Sequence, residues 1–170
     1  MENSKRGLLS LRHGINLSKK MCPSTLKKIE CRSMISYASG IGTLMYAMLC
    51  SRPEIALAVS VTGRYQSNPG EEHWTAVKSI LKYLRRTKDL FLVFGGDFEL
   101  RVEGYIDSDF MSDPDDRRSM SGCIFLCNGG ATSWKSSKQP IIVDSLMEAE
   151  YIAASEAAKE DSDSRNLLQS

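Results

Sequence analysis

The sequence is short of the features that most readily announce a function. It has two histidines, His13 and His73, and five cysteines, at positions 22, 31, 50, 123 and 127. An odd number of cysteines at irregular spacing gives no disulfide framework, and with so few histidines no zinc-binding spacing emerges. Cys50 sits inside an apolar run, which suits a buried, reduced thiol. Long hydrophobic runs are missing too. The longest, "LMYAMLC" (44–50), is far below the roughly 20 residues that span a bilayer, so no membrane partner is expected. The opening "MENSKRGLLSLRHGINLSKK" never exceeds two apolar residues in a row, whereas a secretory leader needs an apolar stretch of about 7–15. A conventional export signal is therefore not expected. Net charge is +1, so the chain as a whole makes no electrostatic case for nucleic acid.

What is present is an ordinary globular composition, 42% hydrophobic and 25% charged over 170 residues. That is enough for one domain, or one domain plus a fragment. Charge is unevenly placed. Residues 1–32 carry eight basic side chains against Glu2 and Glu30, a balance of +6, which leaves −5 for the rest. Such an arm can contact nucleic acid or serve targeting, but the commonest case is a solvated terminus without order, and that is the expectation for 1–32.

Three helices are expected between 37 and 87. Ile41, Leu44, Met45, Met48 and Leu49 form one apolar stripe at helical spacing. "SRPE" starts the second helix, with Ser51 as cap and Glu54 completing a capping box. "NPGE" starts the third, with Asn68 as cap and Pro69 at its first position. Its buried face is Trp74, Val77, Ile80, Leu81 and Leu84, while Lys78, Lys82, Arg85 and Arg86 face out. A basic face of this kind can meet a phosphate backbone but more often only solvates a helix.

After residue 89 the period becomes two. "LFLVF" (90–94) and "LRVEGYI" (100–106) are expected strands, and "SGCIFLCNGGATSWK" (121–135) is a hairpin turning at Asn128-Gly129. A last helix opens in "IVDSLMEAEYIAASEAAKE" (141–159), where Ser145 and Glu148 form S-x-x-E and make Glu148 a helix cap. The order of helices, an antiparallel meander of about three strands and a C-terminal helix is α+β. Asp107, ending "GYID", and Glu150, in the last helix, have no such local role. A strand-end Asp and a first-turn Glu that converge can hold a divalent metal.

Five stretches in order, "YASGIGTLMYAMLCSRPEIALAVSVTGRY", "HWTAVKSILKYLRRT", "VEGYIDSDFMSDPDDRRSMSGCIFL", "GGATSWKSSKQP" and "EAEYIAASEAAKE", resemble the polyprotein of copia-type LTR retrotransposons. The resemblance implies that 33–89 corresponds to the end of the reverse transcriptase and 90–170 to a truncated start of its ribonuclease H. That nuclease cleaves the RNA strand of an RNA–DNA hybrid with two divalent cations. Asp107 matches its first metal-binding Asp and Glu150 its second acid. The resemblance also implies a further Asp on a fourth strand, in a "CDN"-like motif, and another acid later, and neither motif stands in the sequence after Glu150. Asp161 and Asp163 lie 11 and 13 residues further along the same helix, about 16–20 Å from Glu150 at 1.5 Å per residue. No catalytic residue, functional metal or cofactor is therefore expected, and Mg²⁺ only if another chain completes the site. "KEDSDSRNLLQS" departs from the family's apolar continuation, so the helix is expected to fray near 160.

As a whole chain, beginning "MENSKRGLLSLRHGINLSKKMCPST", the sequence also resembles secreted RxLR effectors of oomycete plant pathogens. That resemblance implies a non-enzymatic protein secreted into host cells, acting on an unidentified host protein; without it, a cytoplasmic or nuclear protein is expected. No strict R-x-L-R is present. The nearest strings are Arg6-Gly7-Leu8-Leu9 in the basic arm, "KYLR" (82–85) on the third helix and "RNLL" (165–168). An open sheet edge where a fourth strand would pair invites self-association.

Overall fold

A computed structural model of the chain describes residues 9–11, 16–25, 36–96 and 101–168. The chain divides into two compact units, Met1–Phe91 and Leu92–Ser170. The first is helical: α1 (Tyr37–Cys50), a 3-10 turn (Pro53–Ile55), α2 (Ala56–Gly63) and α3 (Glu71–Arg86). Its core joins Tyr37, Ile41 and Leu44 of α1 to Ile55, Ala58, Val59, Val77 and Ile80. The face expected on α3 is the one that packs, with Trp74, Leu81 and Leu84 at the margin of this core. The stripe on α1 is narrower than its spacing suggested. Met48 packs inward, but Met45, Leu49 and Cys50 are exposed. The covering helices reach only the line from Tyr37 to Met48, so Cys50 is not the buried thiol its neighbours implied.

Neither expected cap forms in this unit. Ser51 ends α1, and the 3-10 turn begins after Arg52. Arg52 engages Glu54 at 2.6 Å, donates to the Thr87 carbonyl at 3.2 Å and also bonds Thr87 Oγ1, so it ties the turn to the end of α3. Asn68 donates to the Pro23 carbonyl at 3.2 Å instead of capping α3. That helix starts after Gly70, whose N–H donates to Nδ1 of buried His73 at 2.8 Å. The His73 ring stacks on Tyr65 with centroids 4.1 Å apart.

Residues 16–25, expected to lack order, dock on this unit. Leu17 is buried with Tyr65 and Ala76, and its carbonyl accepts the Tyr65 hydroxyl at 2.7 Å. A 3-10 turn follows at Lys19–Met21. Here Gly70 is dictated by close approach, since a Cβ would stand 1.9 Å from the Met21 carbonyl oxygen. Backbone must move to admit any side chain. Gly70→Ala is expected to cost the first unit about 1–3 kcal/mol, read as a lowered thermal midpoint; an unchanged melt would count against this contact.

The second unit is an antiparallel sheet of order β1-β2-β3 with one helix on it: β1 (Val102–Asp109), β2 (Met120–Cys127), β3 (Gly130–Lys138) and α4 (Leu146–Leu168). The hairpin turns where expected, with Asn128 at φ 48° and Gly129 at φ 80°. A register shift between Phe125 and Leu126 bends β2 near that turn. Two expectations fail. Residues 90–94 form no strand, because the Gly95 N–H binds the Asn128 carbonyl at 2.9 Å and the Phe94 ring fills the space beside Gly130. The chain thus docks on the hairpin turn instead of extending a sheet edge. Nor does α4 stop near 160: it runs to Leu168, with Ser162 Oγ donating to the Ala158 carbonyl at 2.9 Å. A serine that bonds its own helix backbone need not end the helix.

Candidate functional site

β1 presents Asp107 opposite Gly122 of β2, and the carboxylate is exposed. The register of β1 is unbroken, so Asp107 and Ile106 leave opposite faces of the sheet. Ile106 lines a cleft of about 240 Å³ beneath α4, together with Val102, Gly104, Phe125, Ala154 and Ala157. Asp107 is therefore on the face turned away from α4.

Glu150 belongs to α4, whose start is built as its sequence suggested. The Glu148 N–H donates to Ser145 Oγ at 3.2 Å, and the Glu148 carboxylate accepts from the Asp144 N–H at 3.1 Å. Ala149, Ala153 and Ala157 are buried against the sheet, which leaves Glu150 on the exposed side. Gln139, fully buried after β3, locks this arrangement by donating to Ser121 Oγ at 2.9 Å and to the Ala149 carbonyl at 2.8 Å.

Asp107 of β1 and Glu150 of α4 are the two carboxylates of the recognised pattern among the described residues. Two-metal hydrolysis needs cations about 4 Å apart, held by several converging acids. Among the described residues no group of three or more His, Cys, Asp or Glu side chains could hold a metal ion. One Asp and one Glu do not make that donor set. Asp161 and Asp163 are on α4 with Glu150, as the spacing required. Of the degenerate translocation string, Arg6, Gly7 and Leu8 lie outside the described residues, and Leu9 is exposed. "KYLR" is on α3, and "RNLL" lies in the last turn of α4.

The strongest polar constellation was not anticipated. Asp113 is buried in the β1–β2 connection, where its Oδ1 accepts the Asp115 N–H at 2.8 Å. Lys138, ending β3, reaches Asp113 at 3.1 Å and Asp116 at 2.8 Å. Burial draws the Asp116 carboxyl upward, but the Lys138 ammonium and the Arg118 N–H outweigh it and hold the group below the ordinary carboxylate range. The acid-rich "DPDD" (113–116), a charge density that wants a cation, was the only signal in the sequence. Lys135 meets Glu160 of α4 at 3.2 Å, which raises its ammonium pKa. Burial pushes the Cys123 thiol up as well, with Glu160 adding to the effect against Lys135. That thiol is a poor nucleophile at neutral pH.

No protein-family model and no solved structure matches the chain. Individual relatives do, and they continue what the α+β arrangement began. The chain belongs to the Pol family of copia-type retrotransposons. It is 48% identical over 160 residues, 94% of its length, to the retrovirus-related Pol polyprotein from transposon TNT 1-94 of Nicotiana tabacum. It is 35% identical over 126 residues to the Pol polyprotein from transposon RE2 of Arabidopsis thaliana. These are much longer proteins, of which the chain spans 12% and 8%. A short relative also matches: secreted RxLR effector protein 161 of Plasmopara viticola is 41% identical over 126 residues, 74% of this chain and 89% of that protein. No helix among the described residues is long and apolar enough to cross a membrane.

Proposed function

We propose that this chain acts by binding and not by catalysis, as a secreted effector of a plant pathogen that works inside host cells and alters immunity or cell death through a host protein. The reading is carried by the match to RxLR effector protein 161, which extends over 89% of that protein. A short chain built almost wholly from this same segment of Pol sequence bears that name. The lack of a group of three or more metal-donor side chains among the described residues is in keeping with a role that does not use the ancestral chemistry. The competing reading, an inactive retrotransposon remnant, draws on the higher identity to the tobacco polyprotein over 94% of the chain.

Expression in plant leaf cells separates the two. An effector suppresses or triggers cell death, and a remnant does neither. In that assay Asp107→Asn with Glu150→Gln should leave the effect unchanged, because the binding surface does not depend on a metal site. Loss of the effect in this double variant, with the protein still folded, would return the argument to metal chemistry. Separately, the purified chain is expected not to cleave an RNA–DNA hybrid with Mg²⁺ or Mn²⁺. Metal-dependent cleavage that the same double variant abolishes would overturn the non-enzymatic reading.

A further inference from the structure

Two features of the fold are each unsatisfied and fit one another. β1 is an edge strand of eight residues, with no strand on its outer side among the described residues. Val102, Tyr105 and Ile106 are exposed along it, and the apolar cleft beneath α4 opens beside it. A strand in that condition is a template for another chain. The second feature is "LFLV" (90–93), which has strand composition yet joins no strand. Phe91 is 80% exposed and Val93 67%. Large apolar side chains two apart on an extended segment share one face, as a strand entering an apolar cleft requires.

We propose that two copies of this chain associate by strand addition, with residues 90–93 of one copy pairing along the open edge of β1 in the other. Charge selects this occupant and its direction. β1 carries Glu103, Asp107 and Asp109 and no basic residue, while the segment is uncharged and follows Arg85, Arg86, Lys88 and Asp89, a net charge of +2. An antiparallel approach brings Lys88 to the end of β1 that holds Asp107 and Asp109. Pairing β1 with β1 would instead set three carboxylates against three, which is unfavourable. Phe94 and Gly95 stay anchored at Asn128 and Gly130 while the residues before them pair with the neighbour. Phe91 and Val93 then enter the neighbour's cleft. A twofold axis makes the exchange reciprocal, so that each copy donates one segment and accepts one.

Light scattering on the full chain across a concentration series should show a dimer. Phe91→Lys with Val93→Lys removes the donor, and Ile106→Lys removes the acceptor. Each variant should be monomeric, with a dimer dissociation constant raised at least about tenfold. Val102→Lys, on the cleft face of β1, serves as a second acceptor variant if far-UV circular dichroism shows Ile106→Lys unfolded. Mixing the donor-defective and acceptor-defective variants should restore a one-to-one heterodimer through the single intact pairing. A wild-type chain that stays monomeric at every concentration overturns the proposal, as do variants that still dimerise or a mixture that stays monomeric.

Discussion

Replacing Lys138 by methionine is expected to remove about 3–5 kcal/mol from the stability of the second unit, the cost of breaking a buried ion pair by removing one member. Asp113 is almost wholly buried, and the substitution removes the ammonium that stands 3.1 Å from its carboxylate. Methionine keeps most of the stem's packing, so the loss reports the charge. Domains of this size are stable by about 5–15 kcal/mol, so the change is a large share of the whole and should lower the thermal midpoint clearly. Asp113→Asn in the same background should recover part of it, because the amide needs no counter-charge. If Lys138→Met alone melts like the wild type, the clamp is not holding the β1–β2 connection. The pH dependence has a definite sign. Asp116 has a depressed pKa in the fold, so its contribution is complete above the ordinary value of about 3.9 and is lost as pH falls through the folded value. The gap between wild type and Lys138→Met should therefore narrow in acid.

Ile80→Asp should be at least as damaging, and to the other unit. Ile80 is fully buried among Tyr37, Ile41, Leu44, Val59 and Val77, none of which can pair a carboxylate. An isolated buried charge costs several kcal/mol or takes up a proton instead. The expected result is loss of helical circular dichroism and new proteolytic cuts within 37–86, while 102–160 stays protected in its separate compact unit. Leu81→Asp, one residue on and only partly buried, should cost less. In the leaf-cell assay Ile80→Asp should abolish any effect that the carboxylate variant retains. A folded Ile80→Asp protein would mean that the core is not built around α3.

The features legible in the sequence were those set by neighbours within about four residues. The apolar spacing of α3, the S-x-x-E start of α4 and the Asn128-Gly129 turn each carry their own geometry, and each forms. Caps were less legible. Ser51 ends α1 instead of starting the next helix, and Asn68, which has capping chemistry, binds Pro23 45 residues away. A local rule loses when a distant partner offers a better bond. The site divides in the same way. Asp107 and Glu150 were recognisable as acids of a known pattern, whereas Asp113 and Lys138 come together only through the register of the sheet.

By itself, then, the sequence determined the α+β order, the periodic faces and the Pol ancestry, because propensity, alternation and motif order are written along the chain. Tertiary structure alone decided the rest. It exposed Cys50, Met45 and Leu49 by covering only one side of α1. It turned "LFLVF" away from the sheet by offering its end a better place on the hairpin turn. It also put Asp107 on the face of the sheet away from the helix that carries Glu150. Burial and convergence depend on which surfaces meet, and that is a property of the whole packing and not of any stretch of residues.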